Sequence, residues 1–288
     1  MANSSKQTAL ITGCSEGGIG DALAQEFHRR GVRVLATGRN LEKLAHLKKL
    51  GIETVQLDVE SSESIKEAAV AVNRYTEGRL DFLVNNSGCG YNATILDTDL
   101  EQAKKMFNVN LFGLVEVTQA FAPQVIAAKG QIINIGSLVG IIPLPLQGLY
   151  NASKAAVHSL SDTLRIEMAP FGVKVIYIVT GGVRTKFFLN APKYDFPEGS
   201  PYEAARDILE PILAGRTTDI FLTTPEELAK SVVKNSFSWW PSTRVWPGFE
   251  CLFGWFVTTF FWHTALDGIL SGRFGFKQAT PRLAHLKN

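Results

Sequence analysis

Tyr150 and Lys154 stand four residues apart in Tyr-Asn-Ala-Ser-Lys, and Ser137 lies thirteen residues upstream in Ile-Gly-Ser-Leu. On a helix, side chains at i and i+4 share one face, so a phenol and an ammonium would meet there. A neighbouring cation favours the tyrosinate, which predicts a Tyr150 pKa below the usual value of about 10. Ser137 can hydrogen-bond a carbonyl or alkoxide oxygen at the same point. This equipment moves a proton to or from an alcohol oxygen while a hydride arrives at, or leaves, its carbon. Tyrosine and lysine at this spacing are common by chance. The set acquires meaning only beside a dinucleotide site.

Such a site is present near the amino end. Thr-Gly-Cys-Ser-Glu-Gly-Gly-Ile-Gly (12–20) follows a first apolar run and opens a helical segment. Glycines there let a backbone approach a pyrophosphate, and the free N–H groups of a helix N-terminus attract its charge. Gly13, Ser15, Gly18 and Ile19 are the candidate contacts; the bland alternative is a tight turn. A second run ends in Ala-Thr-Gly-Arg-Asn (36–40), with no acid to hold a ribose 2′-hydroxyl. Arg39 can instead pair with a 2′-phosphate, with Thr37 beside it, which favours NADP(H) over NAD(H). A solvated surface arginine is the alternative, and Glu16 is a mild objection. Asp58 and Val59 follow the third run. Asp58 can accept from an adenine amino group or cap a helix. Asn85-Asn86-Ser87-Gly88 follows the fourth.

The elements that must hold these residues alternate. Apolar runs at 8–12, 32–37, 53–57, 82–84, 131–135 and 173–179 have the length and composition of strands buried on both faces. Helical patterns fill 20–30, 41–50, 62–76, 100–127 (with a break expected near Asn110) and 150–169. This alternation predicts an α/β class chain: one doubly wound parallel sheet of Rossmann type. Thr-Pro-Glu-Glu (224–227) is a capping box with proline at N1, starting a helix to about residue 235. Residues 1–246 are expected to form the dinucleotide-binding domain. Proline-rich residues 185–216 would be a lid over the site, and 247–288 an apolar, aromatic extension with a basic tail.

With 288 residues, 45% of them hydrophobic, the chain can build one large core. A net charge of +2 argues against nucleic-acid binding. Three scattered cysteines lack metal-ligand spacing and fit a reduced, cytoplasmic protein, with no metal expected. The few residues before the first apolar run are polar, so no secretory leader is expected.

Taken together these motifs resemble the short-chain dehydrogenase/reductase family, in order from residue 8 to about 245. The family's glycine motif appears with one extra residue, and its Asn-Asn-Ala-Gly as Asn85–Gly88. Its catalytic Asn matches Asn110, its Ser matches Ser137, and its Tyr-x-x-x-Lys matches Tyr150 and Lys154. Its Pro-Gly-x-Val-x-Thr appears as 180–185 with Thr in place of Pro, leaving the Val183 backbone and the Thr185 hydroxyl for the nicotinamide side. The resemblance implies that Tyr150 is the acid in reduction or the base in oxidation. Lys154 lowers the Tyr150 pKa and holds the nicotinamide ribose, together with Tyr150 itself. Ser137 positions the substrate oxygen, and Asn110 anchors a water leading from Lys154 to solvent. A dimer or tetramer is implied too. Thr-Gly-Gly-Val (180–183), Tyr-Asp-Phe-Pro-Glu-Gly (194–199) and the aromatic C-terminus are also similar to fungal NADPH-dependent 1-acyldihydroxyacetone-phosphate reductases and secondary-metabolite reductases. The implied activity is reduction of a lipophilic ketone or aldehyde. Oxidation of an alcohol in a secondary-metabolite pathway, or a non-catalytic NADP(H)-binding scaffold or sensor, are the alternatives.

Two segments bear on the substrate. The apolar loop 138–146 would either wall a lipophilic pocket or pack beneath the lid. No basic residue stands out as a phosphate anchor; Arg184, Lys186 and Lys193 are the candidates. Residues 251–266 contain no acid, Lys or Arg, and all five tryptophans lie between 239 and 262. The segment 249–270 is read either as a monotopic membrane contact, on the cytosolic face of the endoplasmic reticulum or lipid droplets, or as a helix packed on the pocket or a partner subunit. His158, Cys14 and Cys89 are expected to pack rather than react.

Overall fold

The computed structural model describes residues 6–214 and 222–284; the last two residues of the expected lid, 215 and 216, and the end of the basic tail lie outside them. In chain order the first half contains β1 (Thr8–Ile11), α1 (Ile19–Arg29), β2 (Arg33–Gly38), α2 (Ala45–Lys49), β3 (Glu53–Gln56), α3 (Ser62–Thr76), β4 (Phe82–Asn85), α4 (Leu100–Phe107) and α5 (Gly113–Ala128). The second half contains β5 (Gln131–Ile135), α6 (Gly148–Met168), β6 (Lys174–Ile178), α7 (Arg206–Leu213), α8 (Pro225–Ser236), β7 (Arg244–Val245), α9 (Phe249–Phe260), α10 (Asp267–Arg273) and α11 (Phe276–Leu283). The strands form one seven-stranded sheet, ordered β3-β2-β1-β4-β5-β6-β7, with every pairing parallel.

Strand side chains alternate between two layers, as a pleat requires. Ala9, Ile11, Val34, Ala36, Phe82, Val84, Ile133 and Ile176 meet α1 and α8 on one face. Leu10, Leu35, Leu83, Ile132 and Val175 meet α3 and α5 on the other. Both faces are covered, which is why the strands have unbroken apolar sequences. Strand order reverses between β1 and β4, so the crevice outside their carboxyl ends is where such a fold takes a ligand.

Three elements differ from expectation. Residues 41–44 form a 3₁₀ turn before the short α2. The segment 100–128 does not break at Asn110. A π turn over Asn108–Phe112, with a Gly113 N–H to Asn108 carbonyl bond, joins α4 to α5. The run Leu100–Ala128 is the only helix among the described residues long and apolar enough to cross a bilayer, but α5 packs on β4 and α3, and its Val117, Phe121 and Val125 lie in the core. The strand β7 was not foreseen, because two residues have no periodicity to detect.

A third apolar layer covers the carboxyl end of the sheet. Ile142 and Leu146 of the 138–146 loop pack with Phe196, Leu209 and Leu213 of the lid and with Leu270 and Phe274 of the extension. The packing reading of that loop is therefore met. The capping box of α8 forms with both of its hydrogen bonds.

Candidate active site

At the end of β1, Gly13 has φ +72, and α1 approaches so closely that a Cβ on Gly20 would lie 2.4 Å from the Gly13 carbonyl oxygen. This brings the first turn of α1 beneath the loop 13–19. Its N-cap residue, Gly18, carries no side chain to occupy the free N–H groups. Asp21, unnoticed in the sequence, holds the loop: its carboxylate accepts from Gly17 N–H at 2.8 Å and lies 2.8 Å from His46 Nε2. Ser15 is exposed, and Ile19 and Gly18 are half-buried at the rim.

Two residues expected to contact the cofactor also hold the turn. Thr37 has no exposed surface, and its hydroxyl donates to the Ile11 carbonyl at 3.1 Å. Asn86 donates from Nδ2 to the Thr12 and Gly13 carbonyls at 2.8 and 3.1 Å. Arg39 projects at the end of β2 beside Glu60 (3.3 Å), over a surface recess lined by Asn40, Leu41, Glu42 and Gln56. An exposed pair of this kind is weak, so Arg39 is free to engage an anion. Asp58 Oδ1 accepts from the Glu60 N–H at 3.1 Å. The cap of α3 is Ser61, not Asp58. Val59 is buried, its carbonyl facing the start of α5. The glycine cradle and the exposed guanidinium thus fit a dinucleotide with a 2′-phosphate.

Asn110, Ser137, Tyr150 and Lys154 are brought together, all buried. Asn110 Oδ1 accepts from Cys89 N–H at 2.8 Å, and its Nδ2 donates to the Cys89 carbonyl and to Ser153 Oγ at 3.0 and 3.1 Å. Ser153 in turn donates to the Tyr150 carbonyl at 2.8 Å. The Asn110 amide therefore braces the loop after β4 against α6. Lys154 Nζ donates to the Ile135 carbonyl at 3.3 Å and lies 5.9 Å from the centre of the Tyr150 ring. Ser137 stands close enough to the Tyr150 phenol to favour its ionised form. Tyr177, another residue the motifs did not reveal, supports Ser137: the Ser137 N–H donates to its hydroxyl at 3.2 Å. His158 stacks on Tyr177 at 4.9 Å, the packing role expected of it.

The expected lowering of the Tyr150 pKa is not what the structure produces. Burial pushes the phenol well above its usual range, Tyr177 adds to this, and Ser137 opposes it without prevailing. Burial lowers Lys154 to about 8. The physical reason is the lid: Phe187 and Phe188 pack on Tyr150 at 6.0 and 5.8 Å between ring centroids and exclude the water that would solvate a tyrosinate. Burial also raises the thiols of Cys14 (to about 12) and Cys89, which keeps both protonated and unreactive.

The lid and extension fix the remaining wall. Asp97 Oδ2 accepts from Tyr194 and Ser200 hydroxyls at 2.9 and 2.7 Å, pinning the lid to the loop after β4. Arg184, Lys186 and Lys193 are exposed rather than directed inward. Thr180, where the family has Pro, donates to the Gly136 carbonyl at 2.6 Å, next to Ser137. Val183 bridges to Thr223, and Thr185 Oγ1 accepts from Phe187 N–H at 3.3 Å. Glu250, in the first turn of α9, accepts from Gly182 N–H at 2.8 Å. The sequence offered no local signal for that bond, which spans 68 residues. A charge-assisted hydrogen bond contributes roughly 1.5–3 kcal/mol, so Glu250→Ala should loosen the 180–185 loop and weaken dinucleotide binding roughly tenfold. Titration by fluorescence checks this, and Glu250→Gln, which retains an acceptor oxygen, should recover most of the loss.

Comparison with known proteins agrees with this geometry. Residues 7–194 match the family model described as short chain dehydrogenase. The chain is 44% identical over 224 residues to the NADPH-dependent 1-acyldihydroxyacetone phosphate reductase of Schizosaccharomyces pombe, covering 76% of this chain and 75% of that one. It is 40% identical over 268 residues to the short-chain dehydrogenase fogD of Aspergillus ruber, covering 92% of each. Among solved structures, a short-chain dehydrogenase from Streptomyces avermitilis is similar with a TM-score of 0.77 and 26% identity, over 97% of this chain and 98% of that one. The closed form of serine dehydrogenase complexed with NADP+ gives a TM-score of 0.69 and 29% identity, over 81% and 90%. The chain belongs to the short-chain dehydrogenase/reductase family.

Proposed function

We propose that this protein is an NADPH-dependent carbonyl reductase acting on a lipophilic ketone or aldehyde, with Tyr150 as the proton donor. The observation that carries the reading is the setting of Tyr150: a buried phenol beside Ser137 and Lys154, beneath two phenylalanines. The cofactor is NADP(H), in keeping with Arg39 at the end of β2 and with the NADPH-dependent relative. When bound, it supplies the hydride. The protein's own part is to hold the substrate oxygen between the Ser137 and Tyr150 hydroxyls and to deliver the Tyr150 proton to that oxygen as negative charge develops on it. The Lys154 charge, a few ångströms from the Tyr150 ring, then stabilises the tyrosinate left behind. Alcohol oxidation would use the same residues in reverse, but it needs a tyrosinate base, which burial disfavours. The apolar surroundings of Tyr150 (Tyr91, Met106, Phe187 and Tyr194) support a lipophilic substrate. The acylated dihydroxyacetone phosphate named for the relative belongs in the test panel, although the candidate phosphate anchors Arg184, Lys186 and Lys193 are exposed.

Tyr150→Phe should lower kcat by roughly 10²–10⁴-fold with NADPH affinity little changed, measured as reduced-nicotinamide oxidation against a panel of lipophilic ketones. Undiminished turnover in this variant would refute the role. A scaffold or sensor would show NADPH binding and no turnover in either form.

The pH profile has a defined sign. Lys154 is a cation with a lowered pKa, so it loses its charge as pH rises through about 8, while Tyr150 keeps its proton well beyond that point. The kcat/KM for reduction should be level at lower pH and fall above about 8. A limb that rises through this range would contradict the assignment.

Arg39→Asp replaces a phosphate donor with a carboxylate that repels a 2′-phosphate and accepts from a 2′-hydroxyl. NADPH affinity should fall roughly 10- to 100-fold, as expected for losing about 1.5–3 kcal/mol, and NADH should become the better substrate. An unchanged preference would place the phosphate on another residue, such as Lys43.

A further inference from the structure

The C-terminal extension presents a face that neither the fold nor the reaction uses. In α9 only Cys251, Gly254 and Val257 are buried, three residues apart on a narrow seam. Gly254 lets the helix rest directly on the 138–146 loop, since a Cβ there would lie 2.5 Å from Leu138 Cδ1 and 3.4 Å from Ile142 Cδ1. Everything around this seam points outward. Leu252, Phe253, Trp255, Phe256, Phe260, Phe261 and Trp262 are exposed, and Trp239 and Trp240 more so, at 95% and 86%. The rings form one connected surface: Trp255 and Phe256 lie 6.0 and 5.2 Å from Phe260, Phe256 lies 5.8 Å from Phe261, and Phe261 lies 6.2 Å from Trp262. Soluble monomers rarely leave so large an apolar patch bare.

Three observations identify what covers it. First, composition: of the residues enriched at protein interfaces (Tyr, Trp, Phe, Met and Arg), residues 249–266 have Trp and Phe but no Tyr, Met or Arg. Trp and Phe with scattered Thr and His is instead the chemistry of a headgroup layer, where an aromatic ring has one side wet and one side apolar. Second, charge: residues 251–266 carry no acid, Lys or Arg, and the helices that follow expose Arg273 and Lys277, with Arg282 paired to Asp207 and no acid between residues 268 and 284. That sign complements anionic lipid. Third, length: the 12 residues of α9 span about 18 Å at 1.5 Å each, well short of the roughly 30 Å hydrocarbon core. The helix can lie in the interface but cannot cross it.

We infer that α9 and the turn through Trp262 dock in the interfacial layer of an anionic lipid bilayer. The buried seam of the same helix backs the loop that follows Ser137, and its first turn holds Gly182. Docking therefore sets the candidate site at the membrane surface, where a lipophilic substrate would be dissolved. This last consequence rests on the proposed function; the docking itself does not.

The test is co-sedimentation of the full chain with phosphatidylcholine vesicles, with and without phosphatidylserine, read without any substrate. The chain should pellet with the serine-containing vesicles, with a blue shift of tryptophan emission. The combined variant Phe256→Ser, Phe260→Ser, Trp262→Ser should bind them at least tenfold more weakly while keeping the NADPH affinity of the parent, which shows that it is folded. Arg273→Glu with Lys277→Glu should reduce binding to the anionic vesicles several-fold and leave the aromatic face intact. A parent chain that remains in the supernatant with both vesicle types overturns the inference. So does concentration-dependent self-association in sedimentation equilibrium that the triple variant abolishes, since a second copy would then cover the face. Loss of Tyr150-dependent turnover in the panel assay with vesicle binding intact would sink the reductase reading alone.

Discussion

At the carboxyl edge of a parallel sheet the ladder stops, and the last N–H and C=O groups of each strand lose their partners. Buried backbone groups in that position must be satisfied by something else, and in this protein the residues that satisfy them also build the site. The Thr12 hydroxyl accepts from the Asn86 and Ser87 N–H groups, closing the end of β1 onto the end of β4. Asn110 takes both backbone groups of Cys89. Tyr177 and Thr180 secure the backbone at Ser137 and Gly136, and Glu250 secures Gly182. The glycine turn, the serine and the 180–185 loop are held in place by these bonds rather than by packing.

Burial then sets the chemistry. Tyr150 and Lys154 share one helical face, but their protonation states follow from the aromatic cover, not from their spacing. Enclosure raises the phenol and lowers the ammonium. Each effect favours the less charged form, and together they outweigh what one cation several ångströms away supplies. The same enclosure that excludes water from Tyr150 surrounds it with apolar side chains.

The extension joins these two properties to the surface. Its inner seam packs on Leu138 and Ile142, its first turn supplies Glu250, and its outer side carries the aromatic face. Of the two readings that the sequence left open, the packed helix describes the inner side of this element, and its outer side is the exposed aromatic face. The covering helices α7, α10 and α11 and the 138–146 loop share a separate apolar cluster, so this end of the molecule is organised around the pocket and not around the sheet.

The sequence by itself determined the sheet, its winding and the four candidate residues that meet at its carboxyl edge. Each of these is written locally: apolar runs of strand length, a glycine turn between a strand and a helix, and a tyrosine and lysine one helical turn apart. It also singled out Arg39, which the structure leaves exposed at the end of β2. The tertiary structure alone decided that Thr37 and Asn86 hold the turn, that Tyr177, Asp21 and Glu250 are supporting residues, and that the π turn keeps α4 and α5 continuous through Asn110. It also reversed the expected direction of the Tyr150 pKa. All of these depend on which groups are enclosed with which, across separations of up to 68 residues for Glu250 and Gly182. Desolvation and long-range hydrogen bonds have no period along a chain, and for that reason they become legible only once the chain has folded.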